Sequence, residues 1–194
     1  MKNIYKVAFC GKMGSGKTTA SLSILGLLHE KYGADDAIGF VIKFANPLYA
    51  AVNAFHQQTK PRVFMQRLGD LARREFGDDI MERIFEQNVE GLINIKIPEM
   101  PQSHILIMTD DLRFMGEYKL VKQLGFSVVK MECDEEVRRN RIGASFTNTK
   151  HRSEIELDLI QPDYTLLNNG IDPLCLDLDA NLRNLVEQHK ILGE

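Results

Sequence analysis

The sequence predicts an α/β fold: an open, parallel, five-stranded sheet with helices on both faces. Three observations carry that reading. Short apolar, β-branched runs alternate with amphipathic stretches along the whole chain. The run at residues 4–9 passes directly into Gly11-Lys12-Met13-Gly14-Ser15-Gly16-Lys17-Thr18. The continuous apolar run at 104–108 ends on Thr109-Asp110-Asp111, as a buried strand delivering carboxylates at its C-terminal end would.

The elements follow in order. Residues 4–9 form the first strand, and 18–32 the first helix, with Leu22, Leu25 and Leu28 as its buried stripe and Gly33 as the residue that ends it. A second strand spans 38–44. Pro47 fits the first turn of a helix reaching about residue 56, because its missing N–H has no intrahelical partner there anyway. A further helix begins near Arg62, with Phe64, Leu68, Leu71, Ala72 and Phe76 on an apolar side and Arg62, Gln66, Asp70 and Arg73 as a polar stripe. A third starts near Asp79 and turns Met81, Phe85, Val89 and Leu92 inward, so three helices are inserted between the second and third strands. After the third strand come a helix closed by Gly125, a fourth strand at 126–132, a basic segment at 138–152, a short strand at 163–167 and a final helix near 180–192. The expected division is a single domain, 1–194, with a core of 1–46, 102–133 and 161–194, a helical insertion at 47–101 and a lid region at 134–160.

Composition agrees with an ordinary globule: of 194 residues 44% are hydrophobic and 26% charged, with 14 Gly and 6 Pro. The net charge of −3 argues against a whole-protein attraction to nucleic acid, so stable nucleic-acid binding is not expected. Arg138, Arg139, Arg141, Lys150 and Arg152 nonetheless lie together with no acid between them. Cys10, Cys133 and Cys175 are far apart and form no C-x-x-C pair, which suits a reducing compartment and supplies no zinc site. No signal peptide is read at the start, and the most apolar stretch, 37–55, is broken by Lys43, Asn46 and Pro47. A cytoplasmic protein without membrane attachment, and with room for a homodimer, is the expectation.

The glycine-rich segment matches G-x-x-x-x-G-K-[ST], the phosphate-binding loop, in the strand-loop-helix setting that the motif requires. Lys12, Met13, Gly14, Ser15, Gly16, Lys17, Thr18 and Thr19 are therefore the expected binders of a nucleoside triphosphate. Backbone N–H groups and the helix N-terminus face the phosphates, Lys17 reaches the β and γ phosphates from the surface of a cleft, and Thr18 ligates Mg²⁺. Asp110 is the second expected metal residue, acting through water. No N-K-x-D element selects guanine, and the chain is short for a motor or transporter ATPase, which leaves kinases of small metabolites.

On the acceptor side the chain resembles the deoxynucleoside monophosphate kinases of tailed phages. The resemblance rests on Phe44-Ala45-Asn46-Pro47-Leu48, then Arg62 with Gln66, Leu68 and Gly69, then Asp111, Arg113, Phe114 and Glu117 as D-x-R-F-x-x-E. His151, Ser153 and Glu154 follow as H-x-S-E, and Asp163, Asn168 and Gly170 as D-x-x-x-x-N-x-G. The order holds over nearly the whole chain; departures, Asp70 after Gly69 and the lack of any Trp, fall on the acceptor side. The resemblance implies transfer of the γ-phosphoryl of Mg·ATP to a deoxynucleoside monophosphate, with ATP and Mg²⁺ required. It implies Arg62, Gln66, Asp111, Arg113 and Glu117 at the acceptor, with His151 and Glu154 nearby. Lys17, Asp111, Arg138 and Arg141 are the expected catalytic set, one of the two arginines reaching the transferring group. Two alternatives stand beside this. One is a kinase acting on a hydroxyl, with Asp111 or Glu117 as base. The other is a nucleotide-binding regulatory module without transfer.

Overall fold

The computed structural model describes residues 1–55, 62–143, 152–170 and 176–193, and for Arg62, Ser153, Glu154 and Leu176 the backbone alone. Five strands, β1 (Asn3–Cys10), β2 (Ala37–Val41), β3 (His104–Leu112), β4 (Ser127–Glu132) and β5 (Tyr164–Leu167), pair in parallel in the order β2-β3-β1-β4-β5. The central strand β1 thus places the glycine-rich loop at the middle of the sheet's C-terminal edge, where open α/β folds bind ligands.

Strand alternation divides the core in two. Val7 and Phe9 of β1 face one side with Leu106, Met108, Val129 and Met131, where α1 (Lys17–Tyr32) and α8 (Leu176–His189) cover them. Ala8 and Cys10 face the other with Ile105, Ile107 and Val128, beneath α4 (Ile80–Gly91) and α5 (Met115–Gln123). Burial on both faces is why these strands read as unbroken apolar runs.

The insertion consists of α2 (Asn46–Ala54), with Pro47 in its first turn, α3 (Arg62–Phe76) and α4, followed by a π-helical turn (Leu92–Lys96) and a 3-10 turn (Ile97–Glu99). α6 (Glu135–Ile142), the short α7 (Arg152–Ile155) and a 3-10 turn (Glu156–Leu159) lie between β4 and β5. Among the described residues, no helix is long and apolar enough to cross a membrane.

One helix face differs from the sequence reading. In α1 the buried residues are Ala20, Ser21, Ile24, Leu27 and Leu28, while Leu22 is exposed. The α3 stripe of Phe64, Leu71 and Phe76 is exposed as well, Phe64 meeting the equally exposed Phe55 edge-on. The inner side of α3 carries Gln66, Gly69, Asp70 and Arg73 instead, because it forms the wall of a cleft rather than of a core.

Candidate active site

A cleft of about 500 Å³ opens at the C-terminal edge of the sheet. Met13, Gly14, Gly16, Lys17, Thr18 and Thr19 form its floor, and Gln66, Asp70 and Arg73 of α3 its far wall, with Asp110, Asp111 and Arg113 between them. Donor-loop and acceptor-side residues predicted from separate motifs therefore share one space.

The loop's backbone depends on glycine. Gly14 and Gly16 adopt φ of +82° and +94°, and a Cβ on Gly16 would stand 2.2 Å from the amide nitrogen of Asn168. That amide, buried, donates to the Ser15 carbonyl at 2.9 Å, while Arg138 donates to the Met13 carbonyl at 3.3 Å and Arg141 to the Gly14 carbonyl at 3.2 Å. The carbonyls of Met13, Gly14 and Ser15 are thus each held by a side chain, and the loop leads into the N-terminus of α1, whose first turn carries no acid. Such a cradle suits a chain of phosphates. Lys12, by contrast, points to Asp158 at 3.3 Å and is not part of the cleft wall.

Lys17 lines the cleft and is only 8% exposed: its stem is packed, and Nζ donates to the carbonyls of Gly11 (2.6 Å) and Lys12 (3.0 Å). Thr18 donates its hydroxyl to Asp110 Oδ2 at 2.7 Å, so the two expected metal residues meet. Their hard oxygens, one hydroxyl and one carboxylate, suit Mg²⁺, which keeps water and phosphate oxygens for most of its shell. Lys43, at the end of β2, lies 2.7 and 2.9 Å from the two oxygens of Asp110. With Thr18, it holds the Asp110 carboxyl below its usual range against the opposing effect of burial.

A β-bulge explains how neighbouring aspartates take different roles. Ala8 pairs with Thr109 and Cys10 with Leu112, so two residues of β3 stand opposite one of β1 and the pleat is re-aimed. Asp110 turns to the loop. Asp111 turns to the strand end of β2, where Oδ1 accepts from the Phe44 N–H (3.1 Å) and the Thr109 hydroxyl (2.9 Å), and Oδ2 from the Ala45 N–H (2.9 Å). Asp111, expected at the acceptor and in the catalytic set, lines the cleft, and its carboxylate pins the turn that opens the insertion.

Glu117 lines the cleft too, and its carboxylate is likewise held by backbone N–H groups. Its Oε2 accepts from the backbone N–H of Arg113 (2.8 Å) and Phe114 (3.1 Å), tying down the first turn of α5, and Oε1 faces Arg73 at 3.8 Å. Burial, then the charge of Asp111, push its pKa up to about 8. Because the folded value lies above the ordinary 4.5, the native state keeps a proton that the unfolded chain has released between these values. The associated stability is full below pH 4.5 and is lost as pH rises through 8. Glu117→Gln, which still accepts the two N–H bonds but cannot ionise, should flatten the decline; urea midpoints between about pH 5 and pH 9 check this, and an equal decline in the variant would assign it to other groups.

Of the two lid arginines, Arg141 lines the cleft, whereas Arg138 is 7% exposed behind the loop. The expected reach of Arg138 to the transferring group therefore gives way to a supporting role, since α6 packs it under Met13. Gln66 and Arg113 line the cleft as expected. His151 and the side chains of Arg62 and Glu154 lie outside the described residues. Two site residues were missed. Arg73 sits on the polar α3 stripe, its guanidinium 4.4 Å above the Phe114 ring, and Lys43 lies two residues beyond β2; stripe membership and closeness to a strand end were the signals available.

No protein-family model matches the chain. Over 188 residues, 84% of this chain and 88% of its relative, it is 27% identical to an Acanthamoeba polyphaga mimivirus protein described as "Putative deoxynucleotide monophosphate kinase". Among solved structures, APS kinase CysC of Mycobacterium tuberculosis in complex with AMPPNP and APS superposes with a TM-score of 0.56 at 14% identity, covering 98% of this chain and 99% of that one. Shikimate kinase of Acinetobacter baumannii in complex with shikimate gives 0.52 at 16% identity, over 97% and 96%. The fold is that of the P-loop kinases, and the relative bears the description of the family that the motifs resemble.

Proposed function

We propose that this P-loop kinase, a relative of deoxynucleotide monophosphate kinases, transfers the γ-phosphoryl group of Mg·ATP to the 5′-phosphate of a deoxynucleoside monophosphate, giving the diphosphate and ADP. The observation that carries the reading is the continuity of the cleft from the phosphate loop to the arginines Arg73 and Arg113. Donor and acceptor phosphates are both anionic, and a two-ended cationic cleft brings them within reach of one another.

In this reading the loop N–H groups and Lys17 hold the triphosphate, Lys17 exchanging its two loop carbonyls for β and γ oxygens. Thr18 and Asp110 would hold Mg²⁺, Asp110 through water; when bound, the ion neutralises charge that develops on the bridging oxygens. Arg141 stands at the loop end of the cleft and Arg73 and Arg113 at the other. A phosphate acceptor is already ionised near neutral pH and needs no general base. That fits a site whose inner carboxylates, Asp111 and Glu117, accept backbone N–H bonds. The same bonds disfavour the hydroxyl-acceptor alternative, which needs one of these groups free to take a proton. A regulatory module would not need three arginines to share one cleft with the phosphate loop.

Arg73→Ala and Arg113→Ala should each raise the KM for the monophosphate roughly 10- to 100-fold, as the loss of a charge-assisted contact does, and leave the KM for ATP within about threefold. Steady-state kinetics with each substrate varied in turn checks this. Equal losses for both substrates would move these arginines to the donor side.

A further inference from the structure

We propose that Lys43 is a built-in cation of the Thr18–Asp110 pair, so that the pair takes up a divalent ion only together with a triphosphate. The inference rests on the reading of Thr18 and Asp110 as the metal pair. Lys43 Nζ lies 2.7 Å from Asp110 Oδ1 and 2.9 Å from Oδ2, while Thr18 occupies Oδ2 from the loop side at 2.7 Å. The carboxylate is thus paired with an ammonium and a hydroxyl. Asp110 is 4% exposed, and a buried carboxylate paired with the Lys43 ammonium, with the charge of Lys17 also acting on it, has little charge left to attract a further cation.

The placement of Lys43 is built by its neighbours. It precedes Phe44 and Ala45, whose N–H groups are both held by Asp111, so the backbone that carries the lysine is fixed at the end of β2. Its side chain is 23% exposed and lines the cleft, so the flexible stem has somewhere to go. Lys17 donates its hydrogen bonds to the carbonyls of Gly11 and Lys12, whereas Lys43 holds both oxygens of Asp110. When a triphosphate brings its own negative charge, Lys43 can leave Asp110 for phosphate oxygens between donor and acceptor, and the carboxylate is released. The lysine then both withholds the site from free metal and adds a cation beside the reacting phosphates.

The test is Mn²⁺ binding followed by electron paramagnetic resonance, with and without a non-hydrolysable ATP analogue. The wild-type protein should bind Mn²⁺ weakly alone and at least about tenfold more tightly with the analogue. Lys43→Met should bind Mn²⁺ alone at least about tenfold more tightly than wild type, Lys43→Gln, which keeps a donor for Asp110, should do the same, and Lys43→Arg should not. Adding Asp110→Asn to Lys43→Met should remove the gain. If Lys43→Met and Lys43→Gln both bind free Mn²⁺ as weakly as wild type, while Asp110→Asn alone weakens binding in the presence of the analogue, the inference is overturned and the metal pair stands. If Asp110→Asn leaves Mn²⁺ binding with the analogue unchanged, the metal reading and the inference fall together.

Discussion

Lys17→Met is expected to lower turnover by about a thousandfold or more while the protein still folds, since the lysine would stabilise the charge of the transferring group as no remaining residue on the loop can. The fold should not be untouched. Lys17 is 8% exposed, and its Nζ answers the Gly11 and Lys12 carbonyls, so its loss leaves two loop acceptors without that donor. A cost of about 1 kcal/mol, or roughly 2–4 °C in Tm, is the expected size, because water can reach carbonyls at the floor of an open cleft. Methionine is the substitution of choice, since it keeps the packed stem. Thermal melts beside turnover separate the two effects. A variant that retains more than about a tenth of the wild-type rate would show that the loop does not carry the donor.

Asp111→Asn should show the reverse pattern: a clear loss of stability and a moderate loss of rate. Asp111 accepts three bonds, from the N–H groups of Phe44 and Ala45 and the hydroxyl of Thr109. Asparagine offers one acceptor oxygen, and its NH₂ would face an N–H donor. The expected cost is about 1–3 kcal/mol, with turnover falling by less than about tenfold through displacement of the turn that carries Lys43. Loss of a general base costs about 10²–10⁴ in rate, so the two roles are separable in size. A variant with the wild-type melting temperature and no turnover at saturating acceptor would restore Asp111 as a base and favour a hydroxyl substrate.

These cases also mark how far the sequence could be read. The five strands and the helices between them were legible because parallel strands buried on both faces are continuous apolar runs, punctuated by residues such as Gly33 and Gly125, both at positive φ. The phosphate loop was legible because its glycines have no substitute: Gly16 has neither the dihedral nor the space for a Cβ. The late Asn168, noted only as part of a resemblance, proves to be the amide that braces the loop at Ser15.

The acceptor side was less legible for a reason of direction. Spacing says which residues share a helix face, not whether that face meets a core, a cleft or solvent: the apolar side of α3 leaves Phe64, Leu71 and Phe76 exposed, and its polar stripe lines the cleft. Likewise a carboxylate beside a strand end can aim at a ligand or at backbone N–H groups, and Asp111 and Glu117 do the second. For Glu117 the signal existed, since it stands three residues after the residue that precedes α5, where a side chain reaches back to the open N–H groups. The bulge that parts Asp110 from Asp111 had no such signal, because it arises from the pairing of β3 with β1.

The most direct measurement is ³¹P NMR of the protein incubated with ATP, Mg²⁺ and a panel of deoxynucleoside monophosphates, with the matching nucleosides run in parallel. The expected result is the paired doublets of a nucleoside diphosphate, formed at the expense of ATP for at least one monophosphate and for none of the nucleosides. A new phosphomonoester singlet from a nucleoside, or ATP left intact with every monophosphate, would contradict it.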